Sequence, residues 1–243
     1  MSDGQASGVL LAPAMHMADQ LLTPVPAAVL MALAGASLAV ASRRARARFD
    51  PAQVPLMGVL GAFVFAAQMV NFPILSGFLT GLPIGTSGHL GGGFLLGVLL
   101  GPALGIVAMA SVLVIQALVF QDGGVEALGA NIFVMGVLPG LLGGAVRRLW
   151  LKPSWLSYTV TFTGAAAGVL AGATLVILLL KWSATLPQNV SLLHALGLMD
   201  SIHLLIGLVE GAITVAVVRF VREARREAVF GAALPASPVE IKV

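Results

Sequence analysis

Apolar runs of about 18 to 25 residues, the length that crosses bilayer hydrocarbon as a helix, recur along this chain from end to end. In lipid a helix satisfies its own backbone N–H and C=O groups, so runs of this kind point to an all-α integral membrane protein. Composition agrees: of 243 residues, 58% are hydrophobic and only 9% charged, too little charge to clothe a soluble globule of this size. One membrane domain accounts for nearly all of the chain.

Seven spans are expected. The first runs from Pro24 to Ala41 and the second from Val54 to Phe72, where Pro73 interrupts it. The stretch from Ser87 to Phe120 is too long for one crossing, and Gly101-Pro102 splits it into a short third span and a fourth, a tight helical hairpin. Leu128–Val146, Leu156–Leu180 and Leu196–Phe220 complete the bundle. Arg43, Arg44, Arg46 and Arg48 follow span one, Arg147, Arg148 and Lys152 follow span five, and a basic cluster from Arg219 to Arg226 follows span seven. All of these fall on one side, which basic residues mark as cytoplasmic. The N-terminus is then outside and the C-terminus cytoplasmic, with Lys181 the one basic residue at odds, placed where it can snorkel to the interface. The net charge of +3 is a topology signal and points to no nucleic-acid partner.

The absence of cysteine excludes disulfides, iron–sulfur clusters and thiolate metal sites, so any metal is held by nitrogen or oxygen. No nucleotide-binding glycine loop occurs, so the chain is not itself an ATPase, and energy for uphill transport comes from a partner or an ion gradient. His89, in Gly85-Thr86-Ser87-Gly88-His89-Leu90-Gly91-Gly92-Gly93, sits at the mouth of a span, where an imidazole is costly unless it bonds, moves protons or binds metal. His16 follows Met15 directly. If Met15 is the first residue, its amine, the His16 amide and the His16 Nδ1 chelate one ion through five- and six-membered rings. His89 then completes a planar nitrogen set suited to nickel, copper or cobalt. Otherwise Met15-His16 is leader sequence and His89 a helix cap. His194 reads as a solvated loop residue.

Met15-His16-Met17-Ala18-Asp19, Gln68-Met69-Val70-Asn71-Phe72-Pro73, Gly85-Thr86-Ser87-Gly88-His89, Gln116-Ala117-Leu118-Val119-Phe120-Gln121-Asp122-Gly123-Gly124, Leu128-Gly129-Ala130-Asn131-Ile132-Phe133 and His203 through Gly211 occur in order. In these motifs the chain resembles the CbiM/NikM family, the substrate-capturing membrane (S) components of energy-coupling-factor importers for cobalt and nickel. The resemblance implies that Met15, His16 and His89 hold Ni2+ or Co2+ as transported substrate, with no resident cofactor. It implies a transmembrane coupling (T) component, a cytoplasmic ATPase pair and a small accessory membrane subunit as partners, in the cell membrane. It places Asp19, Asn71, Thr86, Ser87, Gln121, Asp122, His203 and Glu210 around the ion or at its gate. Residues 1–14 are then an extension, from a misassigned start or a cleaved leader, residues 15–227 the capture domain, and residues 228–243 a cytoplasmic tail. Histidine is bulky enough to prevent removal of Met15 as an initiator.

Other readings of the same residues stay open. Gln121-Asp122-Gly123-Gly124 is a cation-recruiting turn or a plain interhelical turn. Asp200, His203 and Glu210 share a helical face, as a proton relay or as interhelical hydrogen bonds. Small residues at Ala28, Ala32 and Ala36 and at Gly164, Gly168 and Gly172 permit close helix contact, internally or with a partner. From other classes, Gly85-Thr86-Ser87-Gly88 with His203-x-x-x-Gly207-x-x-x-Gly211 resembles a rhomboid protease, with Ser87 as nucleophile and His203 as base. A secondary transporter driven by protons through Glu210 is the third reading. Nickel and cobalt are not separated, although neighbouring cobalamin genes would argue for cobalt.

Overall fold

The computed structural model describes residues 16–47, 50, 51, 53–70, 72, 73 and 87–230, with residues 72, 73, 87, 88 and 226–230 described by backbone alone. Met15, Asn71, Thr86, the expected extension and the end of the tail lie outside the described residues, as does the Ser87 side chain.

Among the described residues the regular structure is helical but for one two-residue strand pair. Helix α1 spans Pro24–Ala47, beginning on prolines whose missing N–H costs nothing in a first turn and ending among arginines. Helix α2 spans Gln53–Met69. Strands β1 (Phe72–Pro73) and β2 (Ser87–Gly88) pair antiparallel, and Leu90–Gly92 lead on into helix α3, Gly93–Ile115. The expected third span began at Ser87; the helix begins six residues later because Gly92 holds a left-handed φ of 76° that breaks the helical run.

Within α3, Gly101 adopts φ 79° and ψ 165°, ahead of Pro102. In a straight helix residues 97 and 105 would lie about 12 Å apart. Here a Cβ on Gly105 would meet the backbone of Leu96 and Gly97 at 2.9 Å, so the two arms double back on each other. The expected hairpin at Gly101-Pro102 is therefore present. At its tip the Arg147 guanidinium donates to the carbonyls of Val98 and Leu99, which the bend deprives of helical partners.

After a π-helical turn at Gln116–Phe120, helix α4 (Leu128–Asn131) runs through a π-helical segment into α5 (Leu138–Val146). The α3 hairpin packs on α5 through Gly97 and Gly143, where any side chain would strike facing backbone. Helix α6 (Trp155–Trp182) starts where Ser157 Oγ accepts from the Ser154 N–H at 3.1 Å, and it pairs with the long α7, Leu192–Phe230. Gly207 and Gly211 let α7 close on Ala166 and Phe162 of α6. That packing accounts for the spacing that resembled a protease motif.

Five helical runs are long and apolar enough to cross a membrane: Pro24–Ala47, Gly93–Phe120, Leu128–Leu151, Trp155–Trp182 and Leu192–Arg225. Gln53–Met69 is shorter, because its helix stops three residues before the expected end at Phe72. The chain is a multi-pass, all-helical membrane protein. The expected tail boundary at 228 falls inside α7, and His194 is exposed in the first turn of α7.

Candidate metal-capture site

The segment before α1 lies folded into the protein. Asn131, in the helical run of α4, accepts from the Met17 N–H at 2.8 Å and donates to the Met17 carbonyl at 3.1 Å, as a paired strand would. The Met17 carbonyl also accepts from the Gly124 N–H at 2.8 Å. Asp19 Oδ1 accepts from the Glu126 N–H at 2.6 Å, and the Thr185 hydroxyl donates to the Leu21 carbonyl at 2.8 Å. The glycines after Asp122 make room for this: Gly123 has φ 88°, and a side chain on Gly124 would collide with Asp19.

His16 is thereby carried into the interior, 6% exposed, and its ring lies 4.3 Å, centroid to centroid, from that of His89, itself 2% exposed. His16 Nδ1 lies 3.1 Å from Asp122 Oδ1, and His89 Nδ1 lies 3.0 Å from the Leu90 carbonyl. Both partners only accept, which assigns the proton to Nδ1 in each ring and leaves a lone pair on Nε2. Neither Nε2 has a hydrogen-bond partner. Burial, and next the neighbouring His16, lower the pKa of His89 from 6.5 to about 4. His89 is therefore a neutral donor near pH 7. The hydrogen bond from His16 holds the Asp122 carboxyl below its ordinary range. The expected chelate uses His16 Nδ1, whereas in the structure that atom serves Asp122.

Beyond His89 the irregular backbone is held from two sides. The Gly91 and Gly92 N–H groups donate to Glu210 of α7 at 2.6 and 2.9 Å. The Gly91 carbonyl accepts from the Gln68 amide of α2 at 2.7 Å, and Gln68 in turn accepts from Gln116 at 2.9 Å. Irregular backbone inside an apolar bundle survives only with such partners. Here Gly92, not His89, stands at the N-cap of α3.

The remaining expected site residues fall as follows. Asp19 and Asp122 hold the N-terminal segment, and Gln121 is exposed on the turn. His203 is buried, with Nδ1 2.8 Å from the Met199 carbonyl. Asp200 accepts from Thr174 of α6 at 3.1 Å, so Asp200, His203 and Glu210 each have separate partners and form no hydrogen-bonded relay among the described residues. Gln68, Gln116 and Asn131 were not among the expected site residues, although an amide inside an apolar run is a signal that it must find a partner. Among the described residues no three His, Asp or Glu side chains form a cluster able to hold a metal ion.

A family model for the cobalt uptake substrate-specific transmembrane region, CbiM, matches residues 16–228. The chain belongs to the CbiM family. Among its relatives, a candidate metal transport protein of Haloquadratum walsbyi is 36% identical over 216 residues, covering 89% of this chain and 94% of the relative. A candidate fused nickel transport protein of Archaeoglobus fulgidus is 40% identical over 186 residues, 74% of this chain but 57% of that longer one. The crystal structure of a truncated transition metal transporter superposes with a TM-score of 0.73 at 32% identity, covering 86% of this chain and 99% of the other. CbiM is thus a family of transport proteins, which removes the ground for the protease reading.

Proposed function

We propose that this CbiM-family chain captures Ni2+ or Co2+ at the outer face of the membrane as the substrate-binding component of an energy-coupling-factor importer. The observation that carries the reading is the pair of adjacent, buried imidazoles, His16 and His89, tilted 33° to each other, each fixed through Nδ1 and each left with an unpaired Nε2. Burying such a lone pair without a partner is costly, and a divalent transition metal is a partner that neutral imidazole suits. Met15 supplies the amine when it begins the mature chain, and His16 then exchanges Asp122 for the ion to close its six-membered ring.

On this reading the two arms of α3 and helix α2 are crossings too, giving seven, with the N-terminus outside and the C-terminus cytoplasmic. Ala28, Ala32 and Ala36 form an exposed face of α1, open to a coupling component, whereas Gly168 and Gly172 of the second stripe are buried inside the bundle. Paired cytoplasmic ATPases acting through that component drive the transport. The test is N-terminal sequencing of the purified protein joined to metal analysis. A mature chain beginning at Met15 with one nickel or cobalt bound is expected, lost in His89→Ala and kept in Ser87→Ala. Tight binding by a chain that begins at Met1 would remove the amine ligand from the site.

A further inference from the structure

Five buried side-chain polar atoms among the described residues lack a hydrogen-bond partner, and three of them are imidazole Nε2 atoms: His16, His89 and His203. His203 repeats the arrangement of the other two. It is 1% exposed, and its Nδ1 faces the Met199 carbonyl at 2.8 Å, which assigns the proton to Nδ1 and leaves a lone pair on Nε2.

Its place in the fold brings it to the same site. Glu210 lies seven residues along α7 on the same face as His203, about 10 Å away in helical rise, and is bonded to the Gly91 and Gly92 N–H groups. His89 lies two residues before Gly91, no more than about 7 Å back along the chain. Helix α7 also lies against β2, at Ser87–Gly88, so strand and helix run side by side from the glycine clamp past His89. The third imidazole does not join the others in a cluster that would hold an ion directly, so whatever it gives the ion passes through a smaller molecule.

We propose that His203 is a specificity-determining residue of the ion site, its Nε2 accepting a hydrogen bond from a water on the captured ion. The inference rests on the proposed capture of nickel or cobalt by His16 and His89. Nickel(II) in a planar nitrogen set carries no further ligand, whereas cobalt(II) in the same set takes up a fifth. A buried acceptor beside the plane therefore stabilises the water that cobalt keeps and adds little for nickel. His203 tilts the site toward cobalt.

The experiment titrates the purified full-length protein separately with Ni2+ and Co2+, in the wild type, His203→Ala, His203→Gln and His89→Ala, following affinity and the visible ligand-field spectrum. In His203→Ala, cobalt affinity is expected to fall about 10- to 100-fold, the range for losing an outer partner of a bound ion, with a changed cobalt spectrum. Nickel affinity is expected to change less than about threefold and its spectrum not at all. His203→Gln, whose amide oxygen restores an acceptor and preserves volume, recovers cobalt binding. An equal fall for both ions, or unchanged affinity for both, in His203→Ala overturns the inference while His89→Ala still abolishes binding, and so does a His203→Gln variant that binds cobalt no better than His203→Ala. Retention of both ions by His89→Ala would instead overturn the capture site itself, and the role of His203 with it.

Discussion

His89 shows how much a single residue's surroundings decide. Its ring is neutral in the folded protein down to about pH 4, whereas in the unfolded chain it protonates near 6.5. Between these values only the unfolded state takes up the proton. The contribution of His89 to stability is therefore complete above pH 6.5 and declines as the pH falls toward 4, by about 3 kcal/mol in all. Thermal unfolding in detergent between about pH 7.5 and about pH 4.5 should show this slope, and His89→Gln should flatten it. Asp122 offers a second test at this scale. If capture requires His16 to leave Asp122 and bind through Nδ1, Asp122→Ala will change ion affinity less than about tenfold, while His16→Ala abolishes it. A loss in Asp122→Ala as complete as in His16→Ala would mean that His16 binds through Nε2, with Asp122 orienting the ring. The sequence pointed to both histidines through their neighbours. It carried no sign of which ring nitrogen each would commit, because that depends on an acceptor 106 residues away for His16.

At the scale of elements, the decisive piece is the irregular segment Leu90–Gly92. Helices were legible because length and apolarity are properties of a continuous run, and the hairpin was legible because Gly-Pro marks a bend locally. The late start of α3 was less so, since an apolar run containing glycines reads as helix until a positive φ interrupts it. Glu210 is the residue whose role changed most. As one of three ionisable residues on a helical face it suggested a proton relay, yet its two oxygens are taken by the Gly91 and Gly92 N–H groups. Glu210→Gln keeps the shape but presents one acceptor where two donors wait. It should cost about 1 to 3 kcal/mol and lower the thermal midpoint. Because the same segment carries His89, ion affinity should fall with it. Unchanged stability and affinity in Glu210→Gln would show that the clamp does not position the site.

For the whole molecule, the arrangement of crossings can be mapped directly, since the chain has no cysteine to remove. Single substitutions Lys152→Cys and Gln188→Cys should be labelled by a membrane-impermeant thiol reagent from opposite sides, Gln188→Cys from outside and Lys152→Cys only after the membrane is opened. Labelling of both from the same side would sink the seven-crossing arrangement. The sequence by itself determined that this chain lives in a membrane, that it is helical there, that no thiolate can hold a metal in it, and that His16 and His89 are the residues to watch. Each follows from composition, run length or residue type, which need no knowledge of distant contacts. Only the tertiary structure decided that the N-terminal segment folds inward on Asn131 and Gly124, and that His16 meets His89. It also decided that helices α2 and α7 hold the backbone between them through Gln68 and Glu210. These depend on buried polar groups finding partners far away in the chain, a requirement the sequence announces without naming the partner.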